Sequence, residues 1–180
     1  KNKKGMIRML NIALIGNPNS GKTTVFNALT GAKEYVGNRA GVTVEEKKGK
    51  LKGDPGVIVT DLPGIYSLSP YTKEEIITER YLIENRPDVI INVADASSPE
   101  RSLYLTLQLA EKGIPMVLRL NMTDFAEKKG IFINEEALSV LLNIKTVKAS
   151  AAKGKGLTET LEAARQVSKE PFSPYMEYRK

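Results

Sequence analysis

The sequence predicts an α/β fold: a doubly wound, mostly parallel sheet with one antiparallel edge strand and helices on both faces. Three observations carry this. Short apolar, β-branched runs alternate with helix-like segments along the chain. Those runs have no polar face, as strands buried on both sides require. The first of them, 9–15, passes directly into the glycine-framed stretch GNPNSGKT and then into a helix-forming segment. No internal repeat competes with this layout. At 180 residues, 41% hydrophobic and 27% charged, the chain can bury a core and has the size of one domain.

Strands are expected over 9–15, 57–60, 87–94, 116–120 and 146–149. The segment 44–51 differs. It is polar and lysine-rich, and it faces position 57 across Gly53-Asp54-Pro55-Gly56, which reads as a hairpin whose charged edge strand resists pairing with another chain. Helices are expected over 22–29, stopped by Gly31, and from Thr72 to about 85, with Glu75 completing a capping box. Two more run from 134 to about 142 and from 157 to about 169, the last ending before Pro171. The segment 102–110 reads two ways. Its leucines at 103, 105, 107 and 109 alternate like a strand, whereas Ser98-Pro99 opens it and Lys112-Gly113 closes it like a helix. Leucine, glutamine and alanine favour helix, and helix is the expectation. Residues 1–169 then form the domain, and 170–180, with Pro171, Pro174 and Tyr175, reads as an exit linker.

Composition narrows the chemistry. The chain has no cysteine and no histidine, so a disulfide framework is excluded and a zinc or haem site nearly so. Oxygen-ligated metals such as magnesium remain. The net charge is +6, but the lysines are scattered over 1–4, 47–52, 128–129 and 153–155 without interleaved aromatics, and they read as solvated faces rather than a nucleic-acid patch. The longest apolar stretches, 89–93 and 114–118, are too short to cross a bilayer, and the start KNKKGMIRML lacks the apolar length of a signal peptide, so a soluble chain is expected.

GNPNSGKT fits G-x-x-x-x-G-K-[ST] through Gly16, Gly21, Lys22 and Thr23, between a strand and a helix, which is the P-loop NTPase arrangement. A glycine-rich turn is the plain alternative, but this pattern in this context seldom arises by accident. Glycines let backbone N–H groups close on phosphates, Lys22 reaches the terminal phosphates, and the Thr23 hydroxyl can ligate magnesium. Asn17, Pro18, Asn19, Ser20 and Thr24 complete the candidate phosphate contacts. Downstream, Asp61-Leu62-Pro63-Gly64 is the one Asp-x-x-Gly in the sequence. Asp61, at a strand end, can hold magnesium through water, and the Gly64 N–H can sense a γ-phosphate. Between the two motifs, Thr43 is either a loop hydroxyl or a switch that closes over the metal with triphosphate bound.

Guanine recognition needs a carboxylate that accepts both the ring N–H and the exocyclic amine. Asn-x-x-Asp occurs three times, at 85–88, 92–95 and 121–124. Asn121 follows an expected strand at the carboxyl edge where open parallel sheets bind ligands, so Asn121 and Asp124, with Met122 between them, are the candidate pair. Ser150 and Ala151, at the end of the next strand, can then offer the Ala151 N–H to the base carbonyl.

Taken in order, GNPNSGKT, Thr43, DLPG, NMTD and Ser150-Ala151 resemble the small GTPase fold over about the first 155 residues. The stretches GNPNSGKTTVFNALTG, GNRAGVTVEEKKGKL, DLPGIYSLSPYTKEE and INVADAS through LYLTLQLAEKGIP are similar to the GTPase domain of the ferrous iron transport protein B (FeoB) family. The resemblance implies a GTP-hydrolysing regulatory domain, with helical and transmembrane domains as partners, at the cytoplasmic face of a prokaryotic inner membrane. Guanine nucleotide, GTP or GDP, and magnesium are the implied ligands. Nucleic acid is not among the implied partners, and self-association stays open. The chain stops near where the helical domain would begin, so an excised domain that cannot itself conduct iron is expected.

The resemblance also bears on single residues. Ile65 stands where familiar small GTPases place a water-orienting glutamine, which implies slow hydrolysis. Lys22, Thr43, Gly64 and Asn19 are the implied catalytic set. Asn19 resembles the asparagine that helps hold potassium in potassium-activated GTPases, and a loop-stabilising amide is the equal alternative. Arg39 and Ala40 depart from the family's usual Trp-Pro, which bears against the potassium reading. Met122 replaces the lysine of most small GTPases and implies modest affinity. Two other functions stay open: a ribosome- or tRNA-associated GTPase, and a non-catalytic GTP sensor.

Overall fold

A computed structural model describes residues 9–32, 35–37 and 46–173. In chain order the elements are β1 (Leu10–Gly16), α1 (Lys22–Thr30), β2 (Tyr35–Gly37), β3 (Glu46–Leu51), β4 (Asp54–Asp61), α2 (Lys73–Asn85), β5 (Val89–Asp95), α3 (Pro99–Ala110), β6 (Met116–Asn121), α4 (Thr123–Lys128), α5 (Glu135–Leu142), β7 (Lys145–Lys148), a 3-10 turn (Ala151–Lys153) and α6 (Leu157–Val167). One sheet has the order β2-β3-β4-β1-β5-β6-β7. From β4 to β7 all neighbours are parallel, whereas β3 runs antiparallel to both β4 and β2. The expected antiparallel strand is therefore β3, and β2 adds three residues outside it. The strand order reverses at β1, so the carboxyl ends of the parallel strands share one edge at a topological switch point.

Alternation along each buried strand divides the core. Ala13, Ile15, Ile90, Met116, Leu118 and Leu120 join Leu105, Leu109 and Leu82 on one side. Ile12, Leu14, Val57, Val59, Ile91 and Val117 join Phe26, Leu29 and Ala164 on the other. Apolar burial on both faces is the main force holding such a sheet, at roughly 25 cal/mol per Å².

Local chemistry explains the boundaries. The capping box forms as expected: Glu75 N donates to Thr72 Oγ1 at 3.2 Å, and Thr72 N donates to Glu75 Oε2 at 3.1 Å. The ambiguous segment is helix. Its buried residues are Ser102, Leu105, Thr106, Leu109 and Ala110, a 3.6-residue stripe, while Leu107 is exposed, so the leucine alternation is one of identity and not of burial. The hairpin turn is tighter than expected. Leu51 pairs with Asp54 around Lys52 and Gly53, the latter at φ 82°, which leaves Pro55 inside β4. Proline is tolerated there because pairing of β4 with β1 begins only at Val57.

The segment expected as a linker begins as part of the domain. Phe172 packs against the first core, and Asn143 Nδ2 donates to the Ser173 carbonyl at 2.7 Å. Residues 174–180 lie outside the described residues. Among the described residues no helix is long and apolar enough to cross a membrane.

Candidate functional site

The loop between β1 and α1 is a turn of two left-handed residues. Ser20 N donates to Asn17 O at 3.2 Å, Asn19 sits at φ 65° and Gly21 at φ 85°. Gly21 is required twice over: a Cβ there would be strained by φ and would stand 2.3 Å from Asn121 Nδ2. A cavity of about 420 Å³ opens over the loop, lined by Asn17, Pro18, Asn19, Gly21, Lys22, Thr23, Thr24 and Gly64. Gly64 approaches Pro18 so closely that a Cβ would lie 3.1 Å from its backbone.

The loop that follows β4 is fastened to this turn. Ile65 N donates to Gly16 O at 3.1 Å, and Asn17 Nδ2 donates to Ile65 O at 3.2 Å. Lys22 forms a buried ion pair with Asp61, the two being 8% and 7% exposed. Lys22 lines the cavity, with Asp61 held directly behind it. Ile65 itself is 2% exposed and belongs to the core.

A second cluster stands beside the first. Asn121, 1% exposed at the end of β6, accepts from Ala151 N at 2.8 Å and donates from Nδ2 to Ser20 O at 2.8 Å. The Ala151 N–H, expected to face a base carbonyl, is thus given to Asn121 Oδ1, since the loop after β7 folds directly over the buried amide. Asn121 is a clamp between the two loops. Met122 takes φ 60° and turns the chain into α4, and Asp124 lies in that helix's first turn. Lys153 reaches Asp124 Oδ2 at 3.0 Å. Its hydrogen bond, with another from Ser150, holds the Asp124 carboxyl below the ordinary carboxylate range, so it is ionised at neutral pH.

The three Asn-x-x-Asp copies separate cleanly. Asn92 is consumed inside the sheet, donating to Ile15 O at 3.2 Å and accepting from Thr106 Oγ1 at 2.6 Å. Asp88 accepts from Asn11 N at 2.8 Å at the opposite edge, where β1 begins. The copy at 121–124 reaches into the phosphate loop itself, through Asn121 Nδ2 to Ser20 O. Gly16 to Thr24, Asp61, Gly64, Asn121, Met122, Asp124, Ser150 and Ala151 come together at one edge. Thr43, with Arg39 and Ala40, lies outside the described residues. Sequence reasoning missed Lys153 by reading it as solvated surface, although AAKG directly after Ser150 was the available signal. It missed the Asn17 tie to Ile65 because the partners are 48 positions apart.

A family model described as ferrous iron transport protein B matches residues 10–164. The chain is 51% identical over 156 residues to an Fe(2+) transport protein A/Fe(2+) transporter FeoB fusion protein of Porphyromonas gingivalis, covering 86% of this chain and 18% of that one. It is 48% identical over 163 residues to the Fe(2+) transporter FeoB of Shigella flexneri, covering 88% and 21%. The chain therefore spans about a fifth of the length of these curated relatives. Among solved structures it is similar to NFeoB from S. thermophilus bound to GDP.AlF4- and K+, with a TM-score of 0.81 and 46% identity, covering 92% of this chain and 65% of that one. It is also similar to the FeoB G-domain from Methanococcus jannaschii, with a TM-score of 0.76 and 42% identity, covering 91% and 99%.

Proposed function

The chain belongs to the ferrous iron transport protein B family, and on that footing we propose that it binds and hydrolyses GTP as the regulatory domain of a ferrous iron transporter. One observation carries the reading: Asn121 ties the loop of a phosphate-sized cavity to the loop after β7, and Asp124, ionised and held by Lys153 and Ser150 from that second loop, stands beside it. GDP, named with several solved relatives, has both a base and phosphates to fill such a unit.

The donor set fits a hard divalent cation. In this reading Thr23 and Thr43 offer hydroxyls and Asp61 a carboxylate through water. Among the described residues no group of three acidic side chains converges, so phosphate and water would complete the shell, as magnesium prefers. When bound, magnesium supplies neutralisation of charge on the terminal phosphates. Lys22 has three donors and can keep Asp61 with one while another reaches a phosphate oxygen. The Gly64 N–H donates to the γ-phosphate, Thr43 closes over it, and hydrolysis releases both loops. Turnover is slow in this account, because the Ile65 side chain is packed in the core and cannot orient a water. A non-catalytic GTP sensor shares that feature, and phosphate release distinguishes the two.

Asn19 stands exposed on the rim of the cavity, and its amide oxygen is available to a monovalent cation, the kind of ion named with one solved relative. GTP turnover at matched ionic strength in potassium chloride and sodium chloride tests this, with Asn19→Ala alongside. The expected result is stimulation by potassium of at least about tenfold that the variant lacks. Equal rates in both salts would show that the loop cradles phosphate only. The helical and transmembrane domains of the transporter are the proposed partners, at the cytoplasmic face.

A further inference from the structure

Among the described residues Arg119 is the largest fully buried side chain, at 0% exposure in the middle of β6. Its guanidinium donates from Nη1 to Gly156 O at 2.6 Å and to Thr160 Oγ1 at 2.8 Å, and from Nη2 to Lys155 O at 3.1 Å. Nε has no partner. Burial pushes its pKa down to about 10, with Glu159 attracting it through space, so it is a cation at neutral pH. A buried cation held only by carbonyl and hydroxyl oxygens is a poor choice for stability alone, since an apolar residue of similar volume usually serves as well or better. What it holds is the loop between β7 and α6.

That loop is the one that orients the base-reading side chains. The Lys155 carbonyl that accepts from Arg119 also accepts from Ser150 N at 3.3 Å, and Lys155 N returns a bond to Ser150 O at 3.0 Å. The bridge pins Ser150, and between its two ends lie Ala151, which bonds to Asn121, and Lys153, which bonds to Asp124. Arg119 and Asn121 are two positions apart on β6 and project to the same face of the sheet. We propose that Arg119 is a positioning residue for guanine recognition: it anchors the loop 150–156 to β6, so that Asn121 and Asp124 keep their geometry and bound nucleotide is released slowly. The proposal rests on the guanine-nucleotide reading above.

The test is the dissociation of fluorescent mant-GDP from the full 180-residue chain, chased with excess unlabelled GDP, for the wild type, Arg119→Met, Arg119→Lys and Thr160→Val. Arg119→Met should release the probe about tenfold faster, the scale of one hydrogen bond to the nucleotide lost. Arg119→Lys, which keeps the charge but cannot span both carbonyls, should fall between Met and wild type. The KM for GTP should rise by a larger factor than kcat changes. Thr160→Val removes Arg119's partner on α6 together with the hydroxyl's own bond to Gly156 O, but leaves both loop carbonyls accepting from Arg119, so it should melt earlier without matching the faster release. Release from folded Arg119→Met within twofold of wild type would overturn the proposal, as would equal acceleration in Thr160→Val. If Arg119→Met does not fold, Arg119→Lys decides on the same terms. Wild-type protein that binds no mant-GDP would instead overturn the guanine reading itself.

Discussion

Lys22→Ala is expected to lose guanine nucleotide binding, with GDP affinity falling by at least about a hundredfold. Each charge-assisted hydrogen bond from the ammonium to a phosphate oxygen is worth about 1.5–3 kcal/mol, and roughly 2.7 kcal/mol corresponds to that factor. The same change removes the Lys22 ammonium from its ion pair with buried Asp61. Breaking a buried pair from one side typically costs about 3–5 kcal/mol, so the variant should also melt well below wild type. The two effects separate in a double replacement, Lys22→Met with Asp61→Leu, which removes both charges: stability should largely return while nucleotide binding does not. Calorimetric titration with GDP and thermal melting of the three proteins read both quantities. Wild-type affinity in folded Lys22→Ala would remove the lysine from the phosphate site.

Asp124→Asn is expected to exchange the base preference. The carboxylate, kept ionised by Lys153 and Ser150, can accept from the ring N–H and the exocyclic amine of guanine together. An amide offers one donor and one acceptor, which suits xanthine, with its second carbonyl, better than guanine. Loss of two charge-assisted bonds predicts GDP binding weaker by about three orders of magnitude, while xanthosine diphosphate gains affinity. Competition of the two diphosphates against mant-GDP measures the switch. A retained guanine preference would show that another carboxylate reads the base, and Asp95 at the end of β5 would be the next to examine.

How far the sequence announces this depends on whether the information is local. The phosphate loop, the capped helix at Thr72 and the helix at Pro99 are legible because their signals lie within a few residues of each other. The choice of Asn121 over Asn85 and Asn92 is legible too, because a strand end can be placed from apolar runs. By contrast β2 is three residues long and α4 six, too short for any periodic signal, and α4 begins inside the NMTD motif itself. The clamp role of Asn121 depends on Ser20 and Ala151, 101 and 30 positions away. Arg119 reads as an interruption in an apolar strand, and its purpose appears only when the carbonyls of Lys155 and Gly156 are brought over it. Ile65 is a middle case: its identity already argues against water activation, and the fold adds that the side chain faces the core.

One edge of this sheet, on the reading above, binds guanine nucleotide and turns over its triphosphate. Phosphate release from GTP and from ATP, each with magnesium and potassium present, is the deciding measurement. Slow, saturable release from GTP with none above background from ATP is the predicted result. Equal release from both, or none from either, would contradict the account.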